Sequence, residues 1–393
     1  MSSLPLDGIR VVEISHMVMG PTCGMILGDL GADVIKIEPI KGDGTRRLLG
    51  AGAGFFRTFN RNKQSIAVDV DTEEGKDAVL KLLDSADVFI ENFKPGRMES
   101  LGFGYKAVKR RNPKIVYTSL KGFLAGPYDK RLALDEVVQM MAGLAYMTGP
   151  VGRPLRAGSS VNDIMGGMFG AIGILAALNE RNRTGLGREV QSALYENCVL
   201  LAAQHMQQYV VTGEAAAPMP NRISAWSIYD VFVFKGGEQM FVAATGDGQW
   251  RALCKLIGQQ ALLDDQSLAT NNDRVLQRPR LLAHLGEVFA TVDAQALVPQ
   301  LEANGIPFAP IRKPEELFAD PHLIESGGMA KLQLEDGSYT DMPLLPVSLD
   351  GQRLGPRRSI PRIGENTRQV MRSLGYSDAQ VDELQRAGVF RGE

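Results

Sequence analysis

The stretch Val161 to Leu178, VNDIMGGMFGAIGILAAL, constrains this chain more than any other, because from Ile164 to Leu178 it carries no charge and is apolar on all sides of a helix. Such a run reads as a buried helix rather than an amphipathic surface helix, and it is too short to span a bilayer. Gly166, Gly167, Gly170 and Gly173 each cost about 1 kcal/mol of helix propensity relative to alanine. Their presence implies that another helix or a ligand packs closely against the backbone. Asp163 is the one charge in the stretch, and by position alone it reads as a helix cap or a first-turn acid facing the positive helix end.

Composition narrows the partners. With 393 residues, 44% apolar and 22% charged, the chain has room for two domains and a sizeable core. Lys and Arg total 43 against 45 Asp and Glu, a net charge of −2, so no overall bias toward nucleic acid or membrane exists and an anionic ligand must be met by local clusters. Cys23, Cys198 and Cys254 show neither disulfide nor zinc spacing, which fits a reducing compartment. No secretory or transmembrane segment is read, so a cytoplasmic protein is expected. With only 4 histidines, His16, His205, His284 and His322, multi-histidine metal sites and histidine triads have few members to draw on, and no metal site is expected.

Along the chain, Ile9 to Ser15 reads as a buried strand, Pro21 to Leu30 as a helix and Ala32 to Glu38 as the next strand. A helix over Thr72 to Asp84 follows, then strands at Ala86 to Asn92 and Ile115 to Leu120. This alternation predicts an α/β fold with a parallel sheet covered by helices. Helical pattern resumes from Leu134 through Met147. After the Asp163 stretch, RTGLGREVQSALYENCVLLAAQHM reads as a turn, a short strand and a second long helix. Residues 216–225 have linker composition, and beyond them a hairpin turning at Gly236 and Gly237 and helices near Trp250 to Ile257, Arg274 to Thr291 and Ala294 to Asn304 suggest a smaller α+β domain. Strands are read again from Ala330 to Leu349 and two short helices from Asn366 to Ala387.

Several groups invite a chemical reading. Glu38 ends the second strand, where dinucleotide-binding folds place a ribose acid, but no GxGxxG precedes it and that role is set aside. His16 follows the first strand, as a ligand contact or a plain loop residue. Basic residues gather in the loops of the first half: Lys41, Arg46, Arg47, Arg57, Arg61, Lys63, Lys94, Arg97, Lys121, Lys130 and Arg131. As a rule such charges form a solvated face, but here they neighbour strand ends, where phosphate oxygens need charge-assisted bonds. Gly246, Asp247 and Gly248 lie between a strand and a helix, as a turn capped by Asp247 or as a mobile lid.

The blocks GIRVVEISHMVMGPTCGMILGDLGADVIKIEP, FNRNKQSIAVDV, ADVFIENFKPGRMESLGFGY, VNDIMGGMFGAIGILAAL with RTGLGREV, and LGYSDAQVDELQRAGV together resemble the family III CoA-transferases, also called the CaiB/BaiF family, over essentially the whole chain. The resemblance implies that Asp163 is the nucleophile and that His16, Met17 and Val18 belong to a loop contacting CoA. Asn92 and Phe93 match the family's NF pair, and Ala133, Leu134, Asp135 and Glu136 match a further CoA-contacting stretch. Gly246, Asp247 and Gly248 fall where some transferases have a glycine loop over the acyl site. The chain also departs from its relatives. Val18 replaces the glutamine of formyl-CoA transferases, and Ser100 and Pro39 replace basic residues, so Lys41, Lys94 or Arg97 is expected to supply the missing charge. The racemase branch is expected to carry a GHD motif near residue 135, where this chain reads RLALDE.

The resemblance further implies a Rossmann-like large domain over 1–215 completed by 326–393, a small α+β domain over 226–325, linkers near 216–225 and 326–340, and an interlocked homodimer. CoA and acyl-CoA are then substrates, with no tightly bound cofactor, and the other partner is a small carboxylic acid. Arg153, Arg156 and Arg222 favour a dicarboxylic acid with succinyl-CoA as donor. The alternatives are an α-methylacyl-CoA racemase or epimerase, with Asp163 as acid/base, and a CoA-binding subunit without activity.

Overall fold

The computed structural model describes residues 4–222 and 224–392. Among them, Arg10–Ile14 (β1), Asp33–Glu38 (β2), Lys63–Val68 (β3), Val88–Glu91 (β4), Val116–Lys121 (β5) and Glu189–Ala193 (β6) pair in parallel in the order β3-β2-β1-β4-β5-β6. Phe390–Arg391 pairs antiparallel on the outer edge of β3, making a seven-stranded sheet. The neighbours β1 and β4, in register from Val11 opposite Val88, form the point where the winding of the chain reverses. In α/β sheets a crevice opens there at the carboxyl ends of the strands.

Strand β3 is absent from the sequence reading because its first half, Lys63, Gln64 and Ser65, is polar. All three are buried nonetheless. Lys63 Nζ meets Glu13 of β1 at 2.7 Å and also bonds the Pro21 carbonyl and Asn60, while Lys36 of β2 meets Glu13 at 3.2 Å and Asp43 at 3.1 Å. Paired charges thus run under the first helix, Met19–Asp29, where a side chain at Gly24 would strike the Glu13 carboxylate. Burial lowers the Lys63 ammonium to about 8, with Glu13 opposing that fall.

The Asp163 helix runs Val161–Thr184, 24 residues, and ends at Gly185 with φ 71°. The expectation that it is too short to span a bilayer is therefore corrected: by length and composition it is long enough. Its small residues are nevertheless packed inside the large unit. A Cβ at Gly167 would lie 2.7 Å from the Met19 carbonyl oxygen, and one at Gly170 2.8 Å from Leu120 and 3.2 Å from Cys23. The close neighbour that the glycines call for is the first helix on one side and, at Gly173, Val190 of β6 on the other. Apolar cores fill both faces of the sheet, one built on Met19, Cys23, Leu27, Leu120 and Ile174, the other on Val79, Leu82, Phe89, Phe103 and Phe390.

The stretch expected to be helical from Leu134 to Met147 is two helices, Asp135–Met141 and Leu144–Thr148, separated at Gly143 with φ 85°. Leu194–Thr212 follows β6 as the second long helix. The chain divides into two compact units, Met1–Pro220 with Pro321–Glu393, and Asn221–Asp320. The stretch 326–340, read as a linker, instead carries most of a hairpin, Met329–Gln333 with Tyr339–Pro343. In the smaller unit, Ile228–Val233, Gln239–Ala244 and Phe308–Pro310 form an antiparallel sheet. The helix expected over Arg274 to Thr291 is split into Asn271–Leu276 and Arg278–Phe289, with Pro279 starting the second piece.

Gly167→Ala is expected to destabilise the large unit by about 1–3 kcal/mol, since the atom it strikes is backbone and cannot turn away. Gly286→Ala, within Arg278–Phe289 and facing open space, is expected to be neutral or to stabilise by up to about 1 kcal/mol. Denaturant unfolding of the two variants against wild type checks the contrast.

Candidate functional site

A cleft of about 540 Å³ opens at the carboxyl ends of β1, β4 and β5, and Asp163 lines it. The loop after β1 contributes His16 and Met17, the loop after β4 contributes Asn92, Phe93 and Lys94, and the chain after β5 contributes Lys121 and Gly122 and, further on, Ala133, Leu134 and Asp135. Most of the predicted contacts are thereby gathered at one place, although they lie far apart in the chain.

Asn92 clasps the wall together. Its side-chain oxygen accepts from the His16 N–H at 3.0 Å and its amide donates to the His16 carbonyl at 2.8 Å, so both ends of the amide are spent on the backbone. Asn92 therefore shapes the wall. Beside it the His16 ring lies 5.0 Å from the Phe93 ring, and Met17 is held at φ 63°, a left-handed conformation costly for a side chain of this kind. Glu91, which the sequence reading passed over, forms part of the floor. It accepts from the Ser119 hydroxyl and from the Phe93 N–H at 2.9 Å, and burial raises its carboxyl above the usual range.

Asp163 stands in the first turn of its helix, but it does not cap that helix. The cap comes from Asp135, whose Oδ2 accepts from the Asn162 N–H at 2.8 Å and the Asp163 N–H at 3.1 Å. The Ile164 N–H donates to Ser160 at 3.0 Å. These amides are occupied, which removes the start of this helix as a source of donors for an oxyanion. Asp135, expected as a CoA contact, is buried and holds the helix start, while its other oxygen accepts from Gln139. Burial first, and then the negative Asp135, push the Asp163 carboxyl up to about 7, with Arg156 opposing.

Other predicted positions stand apart from the cleft lining. Val18 is fully buried against Met25 and Phe59 and faces no cleft. Lys41 and Glu136 are not among the lining residues, and Glu136 is paired with Arg156. Arg97 is likewise outside the cleft and pairs with Asp71 at 2.7 Å. Of the basic cluster, Lys94, Lys121 and Arg131 line the cleft. Arg46 is committed to Glu38 at 2.6 Å, Arg61 to Asp29 at 2.6 Å and Lys63 to Glu13. Glu38 is buried, accepting from Ser65 and the Asp43 N–H as well as Arg46, which closes the ribose reading. In the smaller unit Gly246 precedes the helix Asp247–Leu256, so the segment is a helix start rather than an open loop. Asp247 is held there by the buried Arg274, and Gln249 accepts from the Thr245 and Gly246 N–H groups.

Comparisons with known proteins find relatives along nearly the whole chain. Residues 6–367 match the model of CoA-transferase family III. A succinate–glutarate CoA-transferase of Agrobacterium fabrum is 34% identical over 384 residues, covering 94% of this chain and 96% of that protein. A succinyl-CoA:mesaconate CoA-transferase of Haloarcula marismortui is 31% identical, covering 94% and 96%. The crystal structure of a CaiB/BaiF family protein from Brucella suis superposes with a TM-score of 0.85 at 33% identity, covering 95% of this chain and all of that one.

A carboxyl whose folded-state value is raised contributes stability that is complete below the unfolded value and is lost as pH rises through about 7. Asp163→Asn is accordingly expected to be as stable as wild type below about pH 4 and more stable above about pH 7, by at most about 4 kcal/mol. Unfolding measured across that pH range checks the sign.

Proposed function

The chain belongs to CoA-transferase family III, and on that premise we propose that it moves CoA from succinyl-CoA to a small dicarboxylic acid with Asp163 as the nucleophile. The observation that carries the reading is the position of Asp163: it is a carboxylate at the sheet's switch point, within a cleft whose rim bears Lys94, Lys121 and Arg131. Those cations suit the phosphates of CoA, and the apolar Met17, Leu132 and Leu134 suit its pantetheine arm.

The steps balance as follows. An Asp163 oxygen attacks the thioester carbonyl, the C–S bond breaks, and CoA thiolate leaves behind an acyl-aspartyl anhydride. The thiolate attacks the aspartyl carbonyl of that anhydride, releasing the donor acid as carboxylate and forming an aspartyl-CoA thioester. The acceptor carboxylate then attacks the aspartyl carbonyl of that thioester, the C–S bond breaks and CoA thiolate leaves a second, acceptor-aspartyl anhydride; the thiolate attacks the acceptor carbonyl of this anhydride, forming the acceptor-CoA thioester and releasing Asp163 as carboxylate. A carboxylate serves without a general base because it attacks in its ionised form, which the raised value places above about pH 7.

Relatives named for succinate and glutarate, and for succinyl-CoA and mesaconate, support the dicarboxylate choice. Arg156 supports it less than its position before the helix suggests, since its guanidinium is already taken by Glu136. A homodimer is part of the proposal. Its support is the apolar surface left open on the two long helices, with Met168, Ile172 and Leu175 on one and Leu200, Leu201 and Met206 on the other.

Mixing the enzyme with succinyl-CoA and hydroxylamine is expected to leave a hydroxamate on Asp163, seen by peptide mass spectrometry and lost in Asp163→Ala. An unlabelled wild-type enzyme that still transfers CoA would exclude the covalent route. In a panel of acceptor acids, glutarate and other C4–C5 dicarboxylates are expected to outpace monocarboxylates, and the reverse order refutes the substrate choice. Light scattering is expected to return twice the 42.7 kDa chain mass.

A further inference from the structure

The polar groups around the entry to the Asp163 helix form one connected arrangement. Asp135 holds the Asn162 and Asp163 N–H groups with one oxygen and Gln139 with the other. Gln139 in turn accepts the Ala157 N–H at 2.8 Å, which fastens the incoming loop to the Asp135 helix. Arg156 lies in that loop: its Nε donates to the Ala157 carbonyl at 3.0 Å, one terminal nitrogen is paired with Glu136, and the other stands 3.9 Å from Asp135. Capping a helix with a full negative charge is favourable for the helix but unfavourable for a second carboxylate in the same turn, and a nearby guanidinium offsets that repulsion.

We propose that Asp135 and Arg156 are paired positioning residues, Asp135 fixing the turn that carries the nucleophile and Arg156 offsetting the charge that this cap places beside it. The inference rests on Asp163 being the nucleophile. Its consequence is a pair of opposite effects, because Asp135 raises the Asp163 carboxyl and Arg156 lowers it. Asp135→Asn keeps an oxygen that accepts both N–H groups and removes the charge. Arg156→Gln removes the positive charge and leaves the cap.

Other charged and titratable groups face the same region. Glu136 adjoins Arg156, and Glu196, on the helix that follows β6, accepts the Leu124 N–H. Cys23 on the first helix and Cys198 are thiols held neutral by burial. Across the cleft stand His16, Glu91, Lys94, Glu99, Lys121, Asp129, Arg131 and Glu189. All of them are common to wild type and variants, so they set a baseline without determining the sign of the difference.

The test is the rate of hydroxamate formation at Asp163 with succinyl-CoA and hydroxylamine, followed from pH 5 to pH 9 in single-turnover conditions. The acidic limb is expected to move to lower pH in Asp135→Asn and to higher pH in Arg156→Gln. A displacement of half a pH unit is about a threefold change in rate, relative to each variant's plateau, on the acidic side. Asp135→Ala, which loses the cap as well, is expected to lose plateau rate. Arg156→Lys, which restores the charge, is expected to return the limb to its wild-type position. A change of fold alone produces none of this sign pattern, and if Asp135→Asn fails to fold, the Gln and Lys variants at 156 carry the test. Limbs that stay put or move together, in an enzyme whose wild type labels Asp163, overturn this proposal alone. Absence of label in the wild type removes the nucleophile and this proposal with it.

Discussion

The site depends on how closely the Asp163 helix approaches the first helix. At Gly167 the neighbour is the carbonyl oxygen of Met19, and at Gly166 and Gly170 it is the Met19 and Cys23 side chains. Any side chain at Gly167 separates the two backbones by the width of a methyl group. The first helix begins directly after β1, so its position and that of His16 and Met17 are tied to the sheet. Close approach of the two helices therefore brings Asp163 to the strand ends. Unfavourable helix propensity at the glycines is the cost of that geometry, offset by packing.

Charge is handled differently on the two sides of β1. Under the first helix, Glu13, Lys36 and Lys63 are fully buried, and both lysines are paired with Glu13. At the cleft, Asp163 is half-buried, and among the described residues no salt bridge reaches it. The nearest acid repels it, and the nearest guanidinium is shared with two other carboxylates. A group kept in that condition costs stability when ionised and gains reactivity from the same cause, an arrangement expected of a working group rather than a structural one.

Much of the architecture was legible in the residues. Much of the strand and helix alternation of the first half and the hairpin at Gly236 and Gly237 are local patterns that reappear with small shifts of their ends, whereas the Asp163 helix, read as buried all round, buries its glycine face and leaves Met168, Ile172 and Leu175 exposed. Asp163 as a functional group came from the resemblance of ordered blocks, because its own position suggested only a cap. The misses have physical causes. Strand β3 hid behind a lysine, a glutamine and a serine whose burial depends on partners from other strands. Val18 sits in a loop that otherwise faces the cleft, yet its side chain turns inward to Met25 and Phe59. Arg46, Arg61 and Lys63 looked like phosphate ligands until their acids, Glu38, Asp29 and Glu13, proved to be within reach.

By itself, then, the order of residues determined most of the elements, the kind of sheet and the candidate nucleophile, since periodicity, glycine content and ordered motifs are properties of the chain read along its length. Only the tertiary structure decided which charges are free and which are spent. Whether Asp163 caps its helix depends on Asp135, 28 positions earlier, and whether a lysine binds phosphate depends on an acid one or two strands away. Electrostatic energy falls with distance in space and not with separation along the chain. For that reason the pattern of charge pairing, and with it the chemistry of the cleft, appears only once the chain is folded.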